Sequence, residues 1–229
     1  MAGPGFFVSF EGIDGSGKSL QVAAAAAALR NLPRVSEVVP VREPGDTALG
    51  ELARGFLLQH QVVSPIDPWA EALVFMAARA QLLQEVVLPA LRRGAVVLAD
   101  RFADSTLAYQ GGGRGLPESV LRAIHRETCG DVWPDLTILL DLPVDAARAR
   151  RHAQELPLDR MEATPEQFQW AVRETFLHLA TAEPSRIAIV DAARSAVAVS
   201  EDVVALVTAR LAAYRTPQGA APPAVAGRS

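Results

Sequence analysis

Residues Gly12–Ser19 form the pattern that most constrains what this chain can fold into. They match the phosphate-binding pattern G-x-x-x-x-G-K-[ST] in full. A short apolar run, 6–11, precedes the loop, and an alanine-rich stretch, 19–32, with high helix propensity follows it. This strand–loop–helix context distinguishes a P-loop from a chance glycine turn before a surface helix. The pattern therefore predicts that the chain binds a nucleoside triphosphate.

The residue types in the loop follow from that chemistry. Glycines allow backbone conformations that other residues avoid, so successive amide N–H groups can surround an anion at the start of a helix. Lys18 can reach the β- and γ-phosphates, and the Ser19 hydroxyl can bind Mg²⁺. The predicted triphosphate site comprises Gly12, Ile13, Asp14, Gly15, Ser16, Gly17, Lys18 and Ser19.

Apolar runs typical of buried strands alternate with helical stretches along the rest of the chain. Further strands are predicted at 37–41, 95–100, 136–142 and 186–191, and helices at 47–59, 68–93, 116–128, 144–152, 165–181 and 200–214. Strands that are apolar throughout are buried on both faces. The sequence thus predicts an α/β fold with a parallel five-stranded sheet flanked by helices. We expect one domain over 1–215 and a flexible tail, rich in Pro, Ala and Gly, over 216–229.

Net charge and composition disfavour a nucleic-acid-coating protein and a membrane protein. The net charge of −4 lacks the basic excess of a protein that coats nucleic acid. We find no signal-peptide pattern and no stretch of about 18 uninterrupted apolar residues, which favours a cytoplasmic protein without a membrane span. The single cysteine, Cys129, is interpreted as a structural thiol rather than a reactive nucleophile.

Asp100 ends a predicted buried strand, where the acidic Mg²⁺ ligand of a P-loop protein lies. It could hold the ion together with Ser19, directly or through water. The alternative is a turn or helix-capping role, because Asp often follows a strand.

Several arginines point to a second anion site. Arg42 and Arg101 follow predicted strands, and the carboxyl ends of parallel strands gather ligands. Two guanidinium groups there suit a second phosphate, as in a phosphoryl acceptor. Arg79 lies on the apolar face of a long helix, where a charge needs a partner. The alternative for each arginine is a solvated or salt-bridged side chain.

A basic stretch interrupted by proline, 148–160, lies between predicted helices. It is interpreted as part of a mobile lid, about 148–162, that could bring arginines over the transferring phosphate. The alternative is an exposed helix end whose cations match the helix dipole. Charge pattern alone does not decide between the two.

Five segments, in order, resemble the bacterial thymidylate kinase family: 10–19, 42–45, 75–81, 100–113 and 158–162. The resemblance covers nearly the whole chain, from about 6 to 214. It implies a P-loop nucleoside monophosphate kinase fold and transfer of the γ-phosphate of ATP to dTMP, giving dTDP and ADP in dTTP biosynthesis. It also implies Mg²⁺ and a homodimer packed through long helices such as 68–93.

The same resemblance assigns roles to residues of the acceptor site. Phe75 would stack on thymine, Arg79 would bond a thymine carbonyl, and Thr106 and Gln110 would lie at the base edge. Tyr109 would pack under the sugar and disfavour a 2′-hydroxyl. The phosphate and 3′-hydroxyl would meet Asp14, Arg42, Arg101 and Ser105. Thr106 stands where some members have Asn, and Leu20 stands where Thr is common.

Some members of the family place a catalytic arginine inside the P-loop. Here the variable loop positions 13–16 carry no basic residue, so the resemblance implies an arginine supplied by the lid. The candidates are Arg148, Arg150, Arg151 and Arg160, with Arg151 and Arg160 preferred.

Three other functions are alternatives to a thymidylate kinase. The nearest is another nucleoside monophosphate kinase, and the second is a non-catalytic ATP-binding switch, which the acceptor-site arginines disfavour. The third is a GTPase, which is disfavoured because no guanine-reading Asn-Lys-x-Asp follows a late strand.

Overall fold

The computed structural model describes residues 4–58, 65–153, 160–161 and 164–215. The elements in chain order are β1 (Phe6–Glu11), α1 (Lys18–Arg30), β2 (Val38–Arg42), α2 (Ala48–Leu58), α3 (Pro68–Leu82), α4 (Leu88–Arg92), β3 (Val96–Asp100), α5 (Ala103–Thr106), α6 (Glu118–Cys129), β4 (Leu136–Asp141), α7 (Val144–Ala153), α8 (Glu166–Ala182), β5 (Ile187–Asp191) and α9 (Ala196–Arg215). Two π-helical segments continue preceding helices, Leu83–Val87 after α3 and Leu107–Gly113 after α5.

The five strands form one parallel sheet in the order β2-β3-β1-β4-β5, as predicted. In the register, Asp100 of β3 lies opposite Phe10 of β1 on one side and Arg42 of β2 on the other. The carboxyl ends of these three strands therefore meet at one edge of the sheet. The P-loop after β1 and the turn after β3 both leave the sheet at this edge.

The core lies on both faces of the sheet, as the apolar strands predict, although the edge strands β2 and β5 are only partly buried. On β1, Phe6, Val8 and Phe10 pack into one cluster with residues of α1, α8 and α9. Phe7 points to the other face and packs with apolar residues around α4 and with the buried Cys129 thiol. This burial raises the pKa of Cys129, as expected for a structural thiol.

The predicted helix 68–93 is present but not uniform. The chain is α-helical over α3 and α4, and the wider π-helical turn at Leu83–Val87 lies between them. By length and composition alone, Pro68–Arg92 would qualify as a membrane span, with a mean hydropathy of 1.3. Core helices share this composition, and here Leu82 and Leu83 are buried against the sheet-facing cluster.

The helical segment after β3 was not predicted from sequence. The glycines at 111–113 favour a loop, yet Leu107–Gly113 is π-helical and packs against α8. A Cβ atom at Gly113 would lie 2.4 Å from the Phe168 ring, so a side chain there would prevent this packing. The wide turn carries two of the predicted acceptor-site residues, Tyr109 and Gln110.

Other predicted boundaries shift by one or two residues, except that α9 begins four residues earlier than expected. The predicted tail over 216–229 lies outside the described residues, as do 154–159 and 162–163 of the predicted lid.

Candidate active site

A cavity of about 580 Å³ opens at the carboxyl edge of the sheet. This volume is in the range of pockets that hold small molecules. Most of the predicted site residues line it: Asp14, Gly15, Gly17, Lys18, Ser19, Arg42, Phe75, Arg79, Asp100, Arg101, Ser105, Thr106, Tyr109 and Gln110. The P-loop and the predicted acceptor site are thus parts of one cavity.

The P-loop has the backbone that its glycines predict. Gly12 has φ +135° and Gly15 has φ +86°, which side-chain-bearing residues rarely adopt. A Cβ atom on Gly12 would lie 2.5 Å from the Leu140 carbonyl oxygen, and one on Gly15 would lie 2.8 Å from that of Ala147. Both positions therefore require glycine for conformation and for space. The loop leads directly into α1, whose N-terminus faces the cavity.

Lys18 begins α1 and is buried beneath the P-loop, with 7% of its surface exposed. Its Nζ donates to the carbonyl oxygens of Gly12 and Ile13, each at 3.1 Å, and lies 3.8 Å from the Asp14 carboxylate. Burial and the nearby Arg101 charge lower the pKa of Lys18 to about 8. It is also the only lysine of the chain. A bound phosphate chain would restore its full positive charge.

Ser19 and Asp100 lie side by side at the cavity wall. The Ser19 hydroxyl donates to the Asp100 carboxylate at 2.5 Å. These are the hard oxygen donors that Mg²⁺ prefers. In the described part of the chain, no group of three or more His, Cys, Asp or Glu side chains could hold a metal alone. The pair fits an ion that shares its remaining coordination with water and phosphate oxygens.

Arg101 lies between the P-loop and the segment after β3. Its guanidinium donates to the Asp14 carboxylate, to the Gly12 carbonyl at 3.3 Å, to Ser105 Oγ at 3.2 Å and to Tyr109 Oη at 3.2 Å. Tyr109 Oη in turn donates to Asp14 at 3.0 Å. Burial alone would raise the pKa of Asp14, but the Arg101 and Lys18 charges outweigh it and lower the pKa to about 2.

The turn that carries Arg101 is held by Glu11, which sequence reasoning did not single out. Arg101 has φ +74°, a left-handed conformation that is costly for a residue other than glycine. The buried Glu11 carboxylate accepts from the Phe102 N–H at 2.7 Å and from Ser105 Oγ at 2.6 Å. Burial and the neighbouring Asp104 raise the pKa of Glu11 to about 8. Glu11 therefore fixes the backbone that aims the Arg101 side chain.

Arg79 has the partner that its place on an apolar helix face demands. Its Nε donates to Glu43 at 2.9 Å, and its Nη2 donates to the Phe102 carbonyl at 3.2 Å and to Thr106 Oγ1 at 2.8 Å. In the described chain, Arg79 Nη1 and Glu43 Oε1 have no hydrogen-bond partner although both are buried. Burial raises the pKa of Glu43 to about 7. A buried donor and acceptor are thus unsatisfied where both residues line the cavity.

The rest of the cavity wall combines apolar and polar side chains. Phe75 and Met161 contribute apolar surface, and Gln110, only 2% exposed, contributes an amide. Arg42 lies at the rim, where its guanidinium is half-exposed and donates to Glu51 at 2.8 Å. Arg54 of α2 also lines the cavity and donates to the Pro44 carbonyl at 3.1 Å.

The four candidate lid arginines lie in different surroundings. Arg151 packs beside the P-loop, where its Cγ would be 3.3 Å from a Cβ on Gly15, and its charge contributes to the low pKa of Asp14. Arg148 pairs with Glu166 at 3.2 Å, and Arg150 donates to the Ala192 carbonyl at 2.8 Å. Arg160 donates to Glu71 at 2.6 Å. Of the four, Arg151 is the one next to the P-loop.

The residues in or beside the cavity that were not predicted from the sequence include Glu11, Glu43, Arg54, Glu71 and Met161. Glu71 had a usable signal, because it lies four and eight residues before Phe75 and Arg79 and so shares their helix face. Glu43 follows Arg42 directly at the end of β2. Nothing in the local pattern of the other three sets them apart from a strand end, a surface cation or a core methionine.

Comparisons with known proteins give a consistent result. The sequence model of the family described as thymidylate kinase matches residues 10–203. A thymidylate kinase from Thermomicrobium roseum is 45% identical over 203 residues, covering 89% of this chain and 94% of that protein. One from Chromohalobacter salexigens is 44% identical over 211 residues, covering 92% and 99%. The crystal structure of thymidylate kinase from Ehrlichia chaffeensis is similar with a TM-score of 0.71, at 30% identity over 89% of this chain and 99% of that one.

Proposed function

This chain belongs to the thymidylate kinase family, and we infer from its membership that it transfers the γ-phosphate of ATP to dTMP, giving dTDP and ADP. The resemblance recognised in the motifs is confirmed. Family membership leaves no support for a GTPase or a non-catalytic ATP-binding switch. The roles of individual residues are proposed from the geometry of the cavity.

The observation that best supports the proposal is that one cavity joins the P-loop to a second, arginine-bearing pocket. A triphosphate-binding protein without an acceptor needs only the first part. Here Arg101 touches both parts, because it bonds the Gly12 carbonyl and Asp14 in the loop and Ser105 and Tyr109 beyond it. Phosphoryl transfer requires donor and acceptor to meet in this way.

We assign the acceptor phosphate to Arg101, with Ser105 beside it and Arg42 at the rim. A guanidinium binds a phosphate through two parallel hydrogen bonds, which fixes the direction of the attacking oxygen. Asp14 and Tyr109 would then lie near the sugar. Since both are already tied to Arg101, the sugar and phosphate contacts form one rigid unit.

The base pocket is assigned to Phe75, Arg79, Thr106 and Gln110. The unsatisfied Arg79 Nη1 is a donor suited to a carbonyl of thymine. Glu43 and Thr106 hold the rest of that guanidinium, so it cannot turn away from the base. Phe75 offers a ring for stacking.

Ser19 and Asp100 would hold Mg²⁺. When bound, the ion would neutralise charge on the phosphate chain and help to orient it. The chain's own contribution is to place Lys18 against the β- and γ-phosphates and to exclude water. The acceptor phosphate is already anionic at neutral pH, so the reaction needs no general base.

Arg151 is proposed to neutralise the charge of the transferring group, because it is the lid arginine that packs beside the P-loop. Replacing Arg151 with Ala should lower kcat by about 10²-fold, as removing one transition-state donor does in other enzymes. The KM values for both substrates should change by less than about threefold, since ground-state contacts remain. Steady-state kinetics with dTMP and ATP measures both effects.

Arg148→Ala and Arg150→Ala are the matched controls for Arg151. Both remove one positive charge from the same helix, α7, but their guanidiniums bind Glu166 and the Ala192 carbonyl instead. They should keep near wild-type kcat. A larger loss in either control than in Arg151→Ala would move the catalytic role to that residue.

A homodimer is proposed to form through α2 and α3. Leu52 and Phe56 of α2 are 73% and 50% exposed, and Leu73 of α3 is 50% exposed. An apolar surface of this kind on neighbouring helices favours burial against a second copy. The double variant Leu52→Lys, Phe56→Lys should halve the mass measured by light scattering. Val197→Lys, at an exposed position of α9, should not.

A panel of monophosphates tests the substrate assignment. With ATP and Mg²⁺, dTMP should give the highest kcat/KM among dTMP, dUMP, UMP, CMP, AMP and GMP. A clear preference for a purine monophosphate would overturn the assignment. The comparison of UMP with dUMP tests Tyr109, because the two differ only in the 2′-hydroxyl that the proposed packing under the sugar disfavours.

Domain organisation, location and partners are proposed from the sequence. One kinase domain spans about 1–215, followed by a tail at 216–229. The protein acts in the cytoplasm on small molecules, binds neither membrane nor nucleic acid, and uses Mg²⁺ as cofactor with ATP as co-substrate. The net charge of −4 supports the absence of a nucleic-acid partner.

A further inference from the structure

Glu71 is a fully buried carboxylate just outside the cavity. It lies in the first turn of α3, four residues before Phe75, and has no exposed surface. It is not among the described residues that line the cavity. Burying an ionised carboxylate is costly unless hydrogen bonds and opposite charges compensate for the lost water. The side chains that bind Glu71 must therefore supply that compensation.

Four hydrogen bonds from three side chains converge on this carboxylate. Gln110 Nε2 donates at 2.9 Å, Arg114 donates through Nε at 3.2 Å and Nη2 at 3.1 Å, and Arg160 Nη2 donates at 2.6 Å. Burial alone would raise the pKa of Glu71, but the hydrogen bonds from Arg114, Gln110 and Arg160 outweigh it and lower the pKa. The group is therefore ionised, and both oxygens act only as acceptors.

An acceptor-only neighbour fixes which way the Gln110 amide points. The NH₂ group of Gln110 must face Glu71, because two oxygens directed at each other would repel. The amide oxygen is then left to face the cavity that Gln110 lines. Glu71 thus decides that this wall presents an acceptor, which suits the N3–H donor of thymine. Cytosine has an acceptor at N3, which would be repelled by the Gln110 amide oxygen.

The same carboxylate holds part of the cavity wall in place. Arg160, bound to Glu71, also donates from Nε to the Leu57 carbonyl at 2.7 Å, and its backbone N–H donates to the Leu58 carbonyl at 3.3 Å. The next residue, Met161, is 5% exposed and lines the cavity. Its sulfur lies 3.4 Å from Arg160 Nη2.

We propose that Glu71 is a positioning residue that favours thymine over cytosine by orienting the Gln110 amide and anchoring Arg160 and Met161 against the acceptor pocket. This inference rests on the proposed dTMP kinase activity. It gives Arg160 a role in holding the pocket.

The substitution Glu71→Gln tests the proposal with almost no change in size. The new amide can offer an NH₂ group to Gln110, which then turns its oxygen away from the cavity and presents a donor to the base. The ratio of kcat/KM for dTMP to that for dCMP should fall by about tenfold or more, the effect of one misdirected buried hydrogen bond. The KM for ATP should stay within about twofold.

Glu183→Gln is the matched control. Glu183 is likewise a carboxylate shared by two arginines, Arg122 and Arg186, at the far end of α8. It should keep the wild-type ratio even if the variant loses thermal stability. An unchanged ratio in Glu71→Gln, with or without a lower Tm, would overturn the proposal and leave Glu71 a purely structural residue.

Glu71→Asp provides a second variant if Glu71→Gln fails to fold. A shorter carboxylate remains acceptor-only, so the ratio should stay within about twofold of wild type while the KM for dTMP rises. A fall in the ratio for Glu71→Asp of tenfold or more contradicts the orienting role. Failure of the proposed function is separate, since it would appear as absent dTMP phosphorylation by the wild-type protein in the same assay.

Discussion

Replacing Arg101 with Ala is expected to lower kcat/KM for dTMP by about 10³-fold or more, while ATP still binds. Two losses combine. The acceptor phosphate loses a charged, bidentate hydrogen-bond donor, and charge-assisted hydrogen bonds of this kind contribute about 1.5–3 kcal/mol each. The substitution also removes the principal counter-charge of Asp14 and the fixed neighbour of Tyr109 Oη.

Steady-state kinetics with dTMP varied at saturating ATP measures the Arg101 effect. Arg93→Ala is the control, because Arg93 is exposed and its guanidinium pairs only with Glu37 in the described contacts. It should retain activity within about twofold, since exposed ion pairs contribute little. Circular dichroism should show both variants folded. Activity of Arg101→Ala within threefold of wild type would remove Arg101 from the acceptor site.

The second large effect is expected at Lys18. Lys18→Ala removes the one side-chain amine that lies beneath the P-loop, and kcat should fall by about 10³-fold or more. Preorganised charge in a site shielded from water stabilises the transferring phosphate far more than a surface charge could. Lys18→Ala also removes the hydrogen bonds from Nζ to the P-loop carbonyls of Gly12 and Ile13. The loop should therefore be held less firmly, which should weaken ATP binding.

Arg30→Ala is the control for Lys18. It removes a positive charge from the opposite, exposed end of the same helix, α1. Isothermal titration with ATP and a coupled ADP assay together separate binding from turnover. If Lys18→Ala turned over dTMP at the wild-type rate, the role of Gly12–Ser19 as the catalytic triphosphate site would be lost.

The fold was predictable because its signals are local and repeated. Each strand of the sheet is an apolar run, and the P-loop sets the chain direction at the first strand. The helical segment at Leu107–Gly113 was not predictable in the same way. Its three glycines favour a loop by propensity, and packing against neighbouring helices, above all against Phe168 of α8, stabilises the wide turn.

The candidate site was predictable where function demands particular side chains at the ends of strands. Lys18, Asp100 and Arg101, all predicted site residues, line the cavity. Glu11 and Glu71 were missed because they act through other residues. Their importance depends on contacts between segments about 90 and 40–90 positions apart, respectively, which no local spacing reveals.

Lys18 also offers a single side chain at which amine-reactive reagents could label the protein. Apart from the N-terminal amine, it carries the only primary amine among the 229 residues. Its lowered pKa leaves more of it uncharged near pH 8 than an ordinary lysine, and only the neutral amine reacts with acylating reagents. Bound ATP would cover that amine. The fraction of Lys18 that is acylated in a brief reaction, measured by mass spectrometry, should therefore fall as ATP fills the site.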